Sequence, residues 1–234
     1  MKLLFDNAIF RYKPYPIGIA KPIFDEASYA ALVESFPSDD LLLKFPFTSK
    51  EGGYKKYALN ERYGDYYAYI ESHPLWYAFY LSIKKPEFAQ FILAKLRSQG
   101  IVVQPSTSWS TRFEFAGMPA DGGYIAPHTD VPSKAVTLIF SMQKPGEWNP
   151  AWGGGTDVLR PLHPDQPLES YKVPLDQFEK VSSYPYEPNQ CVIFVKNDVS
   201  WHSVGPMTGP PGSMRHTLTL NIERYQHLVG KDAA

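Results

Sequence analysis

Gly123-Tyr124-Ile125-Ala126-Pro127-His128-Thr129-Asp130 is an aromatic and apolar run that delivers a His-x-Asp pair and is followed at once by Val131-Pro132. In an extended strand, residues two apart project from one face, so His128-Thr129-Asp130 aims an imidazole and a carboxylate at a common point. A capped turn explains such a pair equally well. The pair becomes a metal site only if the rest of the chain brings a third ligand to it.

Around this stretch the texture is one of short apolar runs separated by Gly/Pro turns, with 22 prolines and 16 glycines in 234 residues. Strands are expected near 101–104, 108–115, 123–128, 135–142, 155–160, 190–195, 201–204 and 215–224. Helical patterns come before them. The order predicts a mainly β fold with N-terminal helices, as an antiparallel barrel or jelly roll. A chain with 44% hydrophobic residues can bury a substantial core, most simply as one domain over 1–234, with a helical and Tyr-rich support over 1–100 and a β core over 101–225.

In the first hundred residues, 1–20 read as an extended entry, with Tyr12, Tyr15 and Ile17 among prolines. Asp25 is the expected N-cap of a helix reaching about Ser35. Helical spacing returns from Pro74 to Leu96, broken near Lys85-Pro86, with Phe88, Phe91, Ile92 and Leu96 as an apolar stripe; Gly100 ends it. The stretch 37–72 carries Tyr54, Tyr57, Tyr63, Tyr66, Tyr67 and Tyr69 among polar turns. It reads as an irregular, amphipathic surface covering, or more sharply as a lid or substrate platform.

Charge narrows the partners. Twenty-three basic residues balance 24 acidic ones, which argues against nucleic-acid binding and leaves room for a small acidic ligand held by one or two arginines. The single cysteine, Cys191, excludes an internal disulfide, fits a reducing compartment and lies in an apolar run that favours burial. Met1-Lys2-Leu3-Leu4-Phe5 imitates a signal peptide, but Asp6, Asn7, Arg11 and Lys13 interrupt it, and no 18-residue apolar segment follows. A soluble, cytoplasmic protein with no membrane association is expected. Nothing in the sequence specifies an oligomeric state.

His202 offers the third ligand. It follows the apolar strand Cys191-Val192-Ile193-Phe194-Val195 and the turn Lys196-Asn197-Asp198, and it begins the short strand Trp201-His202-Ser203-Val204. His128, Asp130 and His202 make a two-histidine, one-carboxylate face that suits non-haem Fe(II). His73 and His163 precede prolines in loops, and His227 is near the C-terminus. In Arg215-His216-Thr217-Leu218-Thr219-Leu220-Asn221-Ile222 one face is Arg215, Thr217, Thr219 and Asn221, and the other is His216, Leu218, Leu220 and Ile222. The apolar face can pack under the N-terminal helices, so the polar face would line the barrel interior. An arginine there calls for a bidentate anion such as a carboxylate. A solvated edge strand is the other reading of this pattern.

His128-x-Asp130, then His202, then Arg215-x-Thr217 resemble the Fe(II)- and 2-oxoglutarate-dependent dioxygenase superfamily over residues 108–224. The chain is most similar to the prolyl-hydroxylase-like branch. It shares Arg112-Phe113-Glu114-Phe115 before the first ligand strand, Val136-Thr137-Leu138-Ile139-Phe140 after it, and Trp152-Gly153-Gly154-Gly155-Thr156 at a Gly-Gly turn. The resemblance implies a double-stranded β-helix of the cupin-like jelly-roll kind. It also implies Fe(II) on His128, Asp130 and His202, 2-oxoglutarate as cosubstrate with its distal carboxylate on Arg215, and O2. Thr217 or Thr219 would add a hydroxyl, and Tyr124 would reach the pocket from the other side. Ser141 stands where relatives often carry a cosubstrate-contacting tyrosine. The implied reaction hydroxylates an unactivated C–H bond and releases succinate and CO2; Asp130 favours hydroxylation, since halogenating relatives lack this carboxylate.

For the substrate, the sequence leans toward a small molecule or glycan precursor over a protein side chain, because no peptide-binding groove is evident. Two rivals stand beside the oxygenase: a cupin-like metalloenzyme that does not use 2-oxoglutarate, and a non-catalytic jelly-roll module that binds saccharide through the Tyr-rich 54–69 region and Trp109. Zinc hydrolysis is a poorer reading, because nothing marks a general base and the arginine goes unexplained.

Overall fold

A computed structural model describes residues 2–47, 55–165, 168 and 173–224. Tyr54 and His227 lie outside them. The N-terminal segment forms strands β1 (Ile9–Arg11) and β2 (Ile17–Ala20), followed by helix α1 (Glu26–Glu34) and the short helix α2 (Asp39–Leu42). Strand β3 (Tyr57–Leu59) precedes helices α3 (Gly64–Ser72), α4 (Pro74–Lys84) and α5 (Pro86–Ser98). The β region follows: β4 (Trp109–Pro119), β5 (Ile125–His128), β6 (Lys134–Ser141), β7 (Thr156–Pro161), β8 (Phe178–Tyr184), β9 (Cys191–Val195), β10 (His202–Val204) and β11 (Met214–Arg224). No helix among the described residues is long and apolar enough to cross a membrane.

Local chemistry sets the helix ends. The Asp25 carboxylate accepts from Ser28 N at 2.9 Å and caps α1. Pro74 and Pro86 sit in the first turns of α4 and α5, where a missing N–H costs nothing, so Lys85-Pro86 divides two helices. Gly100, at φ +72°, follows α5 in the left-handed region that glycine tolerates.

The strands make two antiparallel sheets. The larger runs β1-β2-β9-β6-β11-β4-β3 and the smaller β5-β10-β7-β8, giving the expected jelly roll. Period-2 alternation then divides the larger sheet into two faces. Leu218, Leu220 and Ile222 of β11 join Leu138 and Phe140 of β6 and Phe113 and Phe115 of β4 in the main core, against Leu32, Trp76, Ile83, Ile92 and Leu96 of the helices. Trp76 meets Phe115 edge-on, ring centroids 4.8 Å apart. On the opposite face Val192 and Phe194 of β9 pack with Val158 of β7 and Tyr184 of β8, closing the space between the sheets.

Two expectations are corrected. Residues 101–104 form no strand: Ile101 is buried but Val102 is 84% exposed, and the segment pairs with no neighbour. The described parts of the stretch 37–72, residues 37–47 and 55–72, are not an irregular surface covering, because they contain α2, β3 and α3, and Tyr66 is fully buried against Phe113 and Phe115. The extended reading of the entry segment holds, as the paired strands β1 and β2, and β8 adds a strand where none is expected. Its residues Phe178-Glu179-Lys180-Val181-Ser182-Ser183-Tyr184 are exposed through most of an edge strand, so no apolar alternation marks them.

Candidate metal centre

Strand pairing brings the two histidines together. His128 ends β5, His202 begins β10, and the two are direct partners in the antiparallel register, with ring centroids 4.2 Å apart. Asp130 follows two residues beyond His128, just past the strand end. One ligand atom from each of His128, Asp130 and His202 lies within 4.8 Å of the other two.

Hydrogen bonds decide which imidazole nitrogen faces the site. His128 Nδ1 is 2.9 Å from Ala126 O, and His202 Nδ1 is 2.9 Å from Ser200 O. A carbonyl only accepts, so each Nδ1 carries the proton and each Nε2 presents a lone pair. Burial keeps both rings neutral: it pushes His128 down to about 3, with the neighbouring His202 adding to the effect, and it lowers His202 as well. Burial alone would raise the Asp130 carboxyl. Neighbouring groups together outweigh it, led by the Lys134 ammonium 2.8 Å from Oδ1, and hold the group below the usual carboxylate range. Two neutral imidazoles and one carboxylate are the donor set of a divalent first-row metal with open coordination positions.

The centre opens into a cavity of about 530 Å3, within the range of small-molecule sites. Ile125, Ile139, Phe194 and Val204 give it apolar walls, and Thr219 and Asn221 of β11 face it. Ion pairs also border it: Lys56 pairs with Glu114 at 2.8 Å and Arg112 with Glu223 at 2.7 Å, and Phe47, Arg62 and Tyr63 complete this part of the lining.

Of the residues singled out in the sequence, His128, Asp130 and His202 converge and Thr219 lines the cavity. Thr217 and Arg215 are buried further along the same strand face, beyond the cavity lining. Six residues of extended chain separate the positions of Arg215 and Asn221, about 20 Å along β11. Arg215 Nε donates to Gly154 O at 2.6 Å, and its Cζ lies 4.6 Å from the Tyr186 ring centroid. No carboxylate pairs with it among the described residues, and burial lowers it to about 10, so it stays a cation at neutral pH. Tyr124 is not part of the cavity lining; its carbonyl accepts from Lys55 N at 3.1 Å.

Residues to which sequence reasoning gave no role at the site surround this set, although Asn221 and Gly154 stood on the polar strand face and in the Gly-Gly turn it singled out. Lys134 and Thr137 grip the Asp130 carboxylate, Asn221 stands behind Thr137, and Gly154 and Tyr186 hold Arg215. Thr137 had one legible signal: it is the polar position in the apolar run Val136-Thr137-Leu138-Ile139-Phe140.

Residues 113–223 match the family model described as the 2OG-Fe(II) oxygenase superfamily. No curated protein matches the chain. Among solved structures, a Pseudomonas putida prolyl-4-hydroxylase is similar at 14% identity and TM-score 0.55, with 92% of this chain and 95% of that one covered. A viral collagen prolyl hydroxylase from Paramecium Bursaria Chlorella virus-1 aligns at 11% identity and TM-score 0.50, covering 90% and 96%. The non-heme alpha ketoglutarate dependent epimerase SnoN from nogalamycin biosynthesis aligns at 15% identity and TM-score 0.54, covering 96% and 87%. At these identities the likeness is one of fold. The match over residues 113–223 identifies this segment as a domain of the 2OG-Fe(II) oxygenase superfamily, whose enzymes use iron(II), 2-oxoglutarate and O2, and the solved structures agree with it in their prolyl-hydroxylase-like fold.

Proposed function

We propose that this enzyme hydroxylates an unactivated C–H bond of a small molecule or glycan precursor. The observation that carries the reading is a buried guanidinium, Arg215, with no acidic partner among the described residues, on the strand face that also serves the His128/Asp130/His202 cluster. An unpaired buried cation is costly unless an anion arrives to compensate it. The distal carboxylate of 2-oxoglutarate is such an anion, and a guanidinium fork suits it.

In this reading the Nε2 atoms of His128 and His202 and one oxygen of Asp130 hold iron. A carboxylate oxygen has a lone pair to spare for a metal while it accepts a hydrogen bond. Iron with 2-oxoglutarate and O2 supplies the oxidant, with succinate and CO2 as coproducts. The chain's own residues orient and exclude. Arg215 sets the direction of the cosubstrate, Thr219 and, deeper, Thr217 add hydroxyls along the same face, and Ile125, Ile139 and Val204 keep water from the reacting centre.

A cavity of about 530 Å3 with ion pairs along its lining supports a polar small substrate. Asp130 supports hydroxylation over halide transfer. The helices pack directly on the β core, which supports one domain over 1–234. A single buried thiol supports a cytoplasmic setting. The test is anaerobic addition of Fe(II) and 2-oxoglutarate to metal-free protein, followed by visible spectroscopy. A weak charge-transfer band that needs both components is expected; its absence rejects the cosubstrate. Succinate release that rises with a candidate small molecule then identifies the substrate class, and a response to peptides alone would overturn it.

A further inference from the structure

Arg215 is held on two sides without the use of any acid. Its Nε donates to Gly154 O at 2.6 Å, and its Cζ lies 4.6 Å from the centre of the Tyr186 ring. Each support is itself fixed. Gly154 sits at φ +86°, where a Cβ would meet Arg215 Cδ at 3.0 Å and both Met207 Sδ and Trp148 Cζ2 at 3.1 Å. Trp148 donates from Nε1 to Gly153 O at 3.0 Å and meets the Tyr186 ring edge-on at 5.1 Å. The Tyr186 hydroxyl donates at 2.6 Å to the carbonyl of His216, the residue next to Arg215.

This arrangement differs in kind from an ion pair. A carboxylate partner would hold the guanidinium but occupy its terminal nitrogens and cancel its charge. A carbonyl on Nε and an aromatic ring against Cζ hold it in place and leave the charge uncompensated. Among the described residues, the terminal nitrogens have no hydrogen-bond partner. An arginine side chain left free would have to be frozen at each binding event, and preorganisation removes that cost.

We propose that Gly154 and Tyr186 are positioning residues that form a cradle for Arg215, presenting its terminal nitrogens in one orientation to a carboxylate. The identity of that carboxylate, the distal group of 2-oxoglutarate, rests on the function proposed above. The cradle gives the Gly153-Gly154 turn a role beyond chain reversal: it brings a backbone carbonyl onto an arginine side chain at a position where a Cβ would be strained and would crowd that side chain.

The test compares two 2-oxo acids on Mn(II)-loaded protein by calorimetric titration. 2-Oxoglutarate has a distal carboxylate, and 2-oxobutyrate keeps the metal-facing end but lacks it. The wild type should bind 2-oxoglutarate more tightly. Tyr186→Leu should lower its affinity about tenfold or more and leave 2-oxobutyrate unchanged, so the preference collapses, while Tyr186→Phe restores it by keeping the ring face. Gly154→Ala, which pushes on Arg215 Cδ, should act as Tyr186→Leu does and serves if that variant does not fold. A Tyr186→Leu protein that keeps the wild-type preference overturns the cradle alone, as does a Phe variant no better than Leu. A wild type with no preference overturns the 2-oxoglutarate reading, and the cradle's assigned ligand falls with it.

Discussion

Thr137 Oγ1 donates to Asp130 Oδ2 at 2.6 Å, and Thr137 stands directly opposite Asn221 in the pairing of β6 with β11, with the Asn221 side-chain amide 3.2 Å from the same hydroxyl. Lys134 Nζ takes the other carboxylate oxygen at 2.8 Å. The carboxylate is therefore oriented by one strand from both sides. Its partner Lys134 is raised in pKa despite burial, because the Asp130 charge outweighs desolvation. Support of this kind commonly decides how well a ligand set binds its metal.

Lys134→Met should destabilise the metal-free protein by roughly 2–3 kcal/mol, below the 3–5 kcal/mol of a fully buried broken pair because Lys134 keeps some solvent contact. A divalent cation on the cluster would compensate the orphaned carboxylate. The gap between variant and wild type should therefore narrow when Mn(II) is present. Paired thermal melts with and without Mn(II) measure this, and a gap indifferent to metal would remove Asp130 from the ligand set.

Arg215→Met separates function from stability. Loss of a charge-assisted, bidentate contact of about 2–5 kcal/mol should raise the apparent KM for 2-oxoglutarate some thirtyfold or more. Metal stoichiometry should not change. Because Arg215 is a buried cation without an acid, the variant should be at least as stable as the wild type in the absence of cosubstrate. An unchanged KM, or a large loss of stability, would mean that Arg215 serves the fold and not the cosubstrate.

What could be read in the chain followed from periodicity and flanking context. β11 was legible because its polar and apolar residues alternate without interruption, and the structure sets Leu218 against the helices and Thr219 on the cavity. His202 was legible because strands precede and follow it. α3, by contrast, has no side-chain cap and is crowded with tyrosines whose polar tips imitate a surface: Tyr66 is fully buried, and the Tyr69 hydroxyl donates to Ser35 O. Tyr186 left no local trace because it lies in the connection between β8 and β9 and its partner, Arg215, comes from the distant strand β11. Contacts of that kind depend on tertiary packing, which no local pattern encodes.

Acid should unfold the metal-free protein early, and the sign follows from the two ligand imidazoles. His128 falls to about 3 and His202 is also lowered, both chiefly by burial, whereas each takes up a proton near 6.5 in the unfolded chain. Between those values the unfolded state binds more protons, so stability is full above pH 6.5 and declines as pH falls. The slope reaches about 1.4 kcal/mol per pH unit for each imidazole. Urea midpoints from pH 7.5 to 5 should drop accordingly, and His128→Gln should flatten the decline. An equal slope in that variant would assign the acid sensitivity to other groups.

Asn189 ties the N-terminal segment to the strand behind the centre, and its removal should show how far that support reaches. It holds φ +54°, the one described non-glycine residue with a positive φ. Its Oδ1 accepts from Ile23 N at 3.2 Å and Phe24 N at 3.0 Å, while Nδ2 donates to Phe24 O at 2.9 Å. Phe24 stacks on Phe140 of β6, and β9, which begins two residues later, carries Phe194 against His202 at 4.5 Å. Asn189→Gly keeps the backbone shape and loses the side-chain bonds, costing about 1–3 kcal/mol. Asn189→Ala adds left-handed strain of about 1 kcal/mol more. Denaturant midpoints should therefore rank wild type above Gly above Ala, and Mn(II) affinity should weaken in the same order if the loosened β9 reaches His202. A reversed order of Gly and Ala would show that the backbone relaxes out of the left-handed region. Unchanged metal affinity would confine the role of Asn189 to anchoring the first helix.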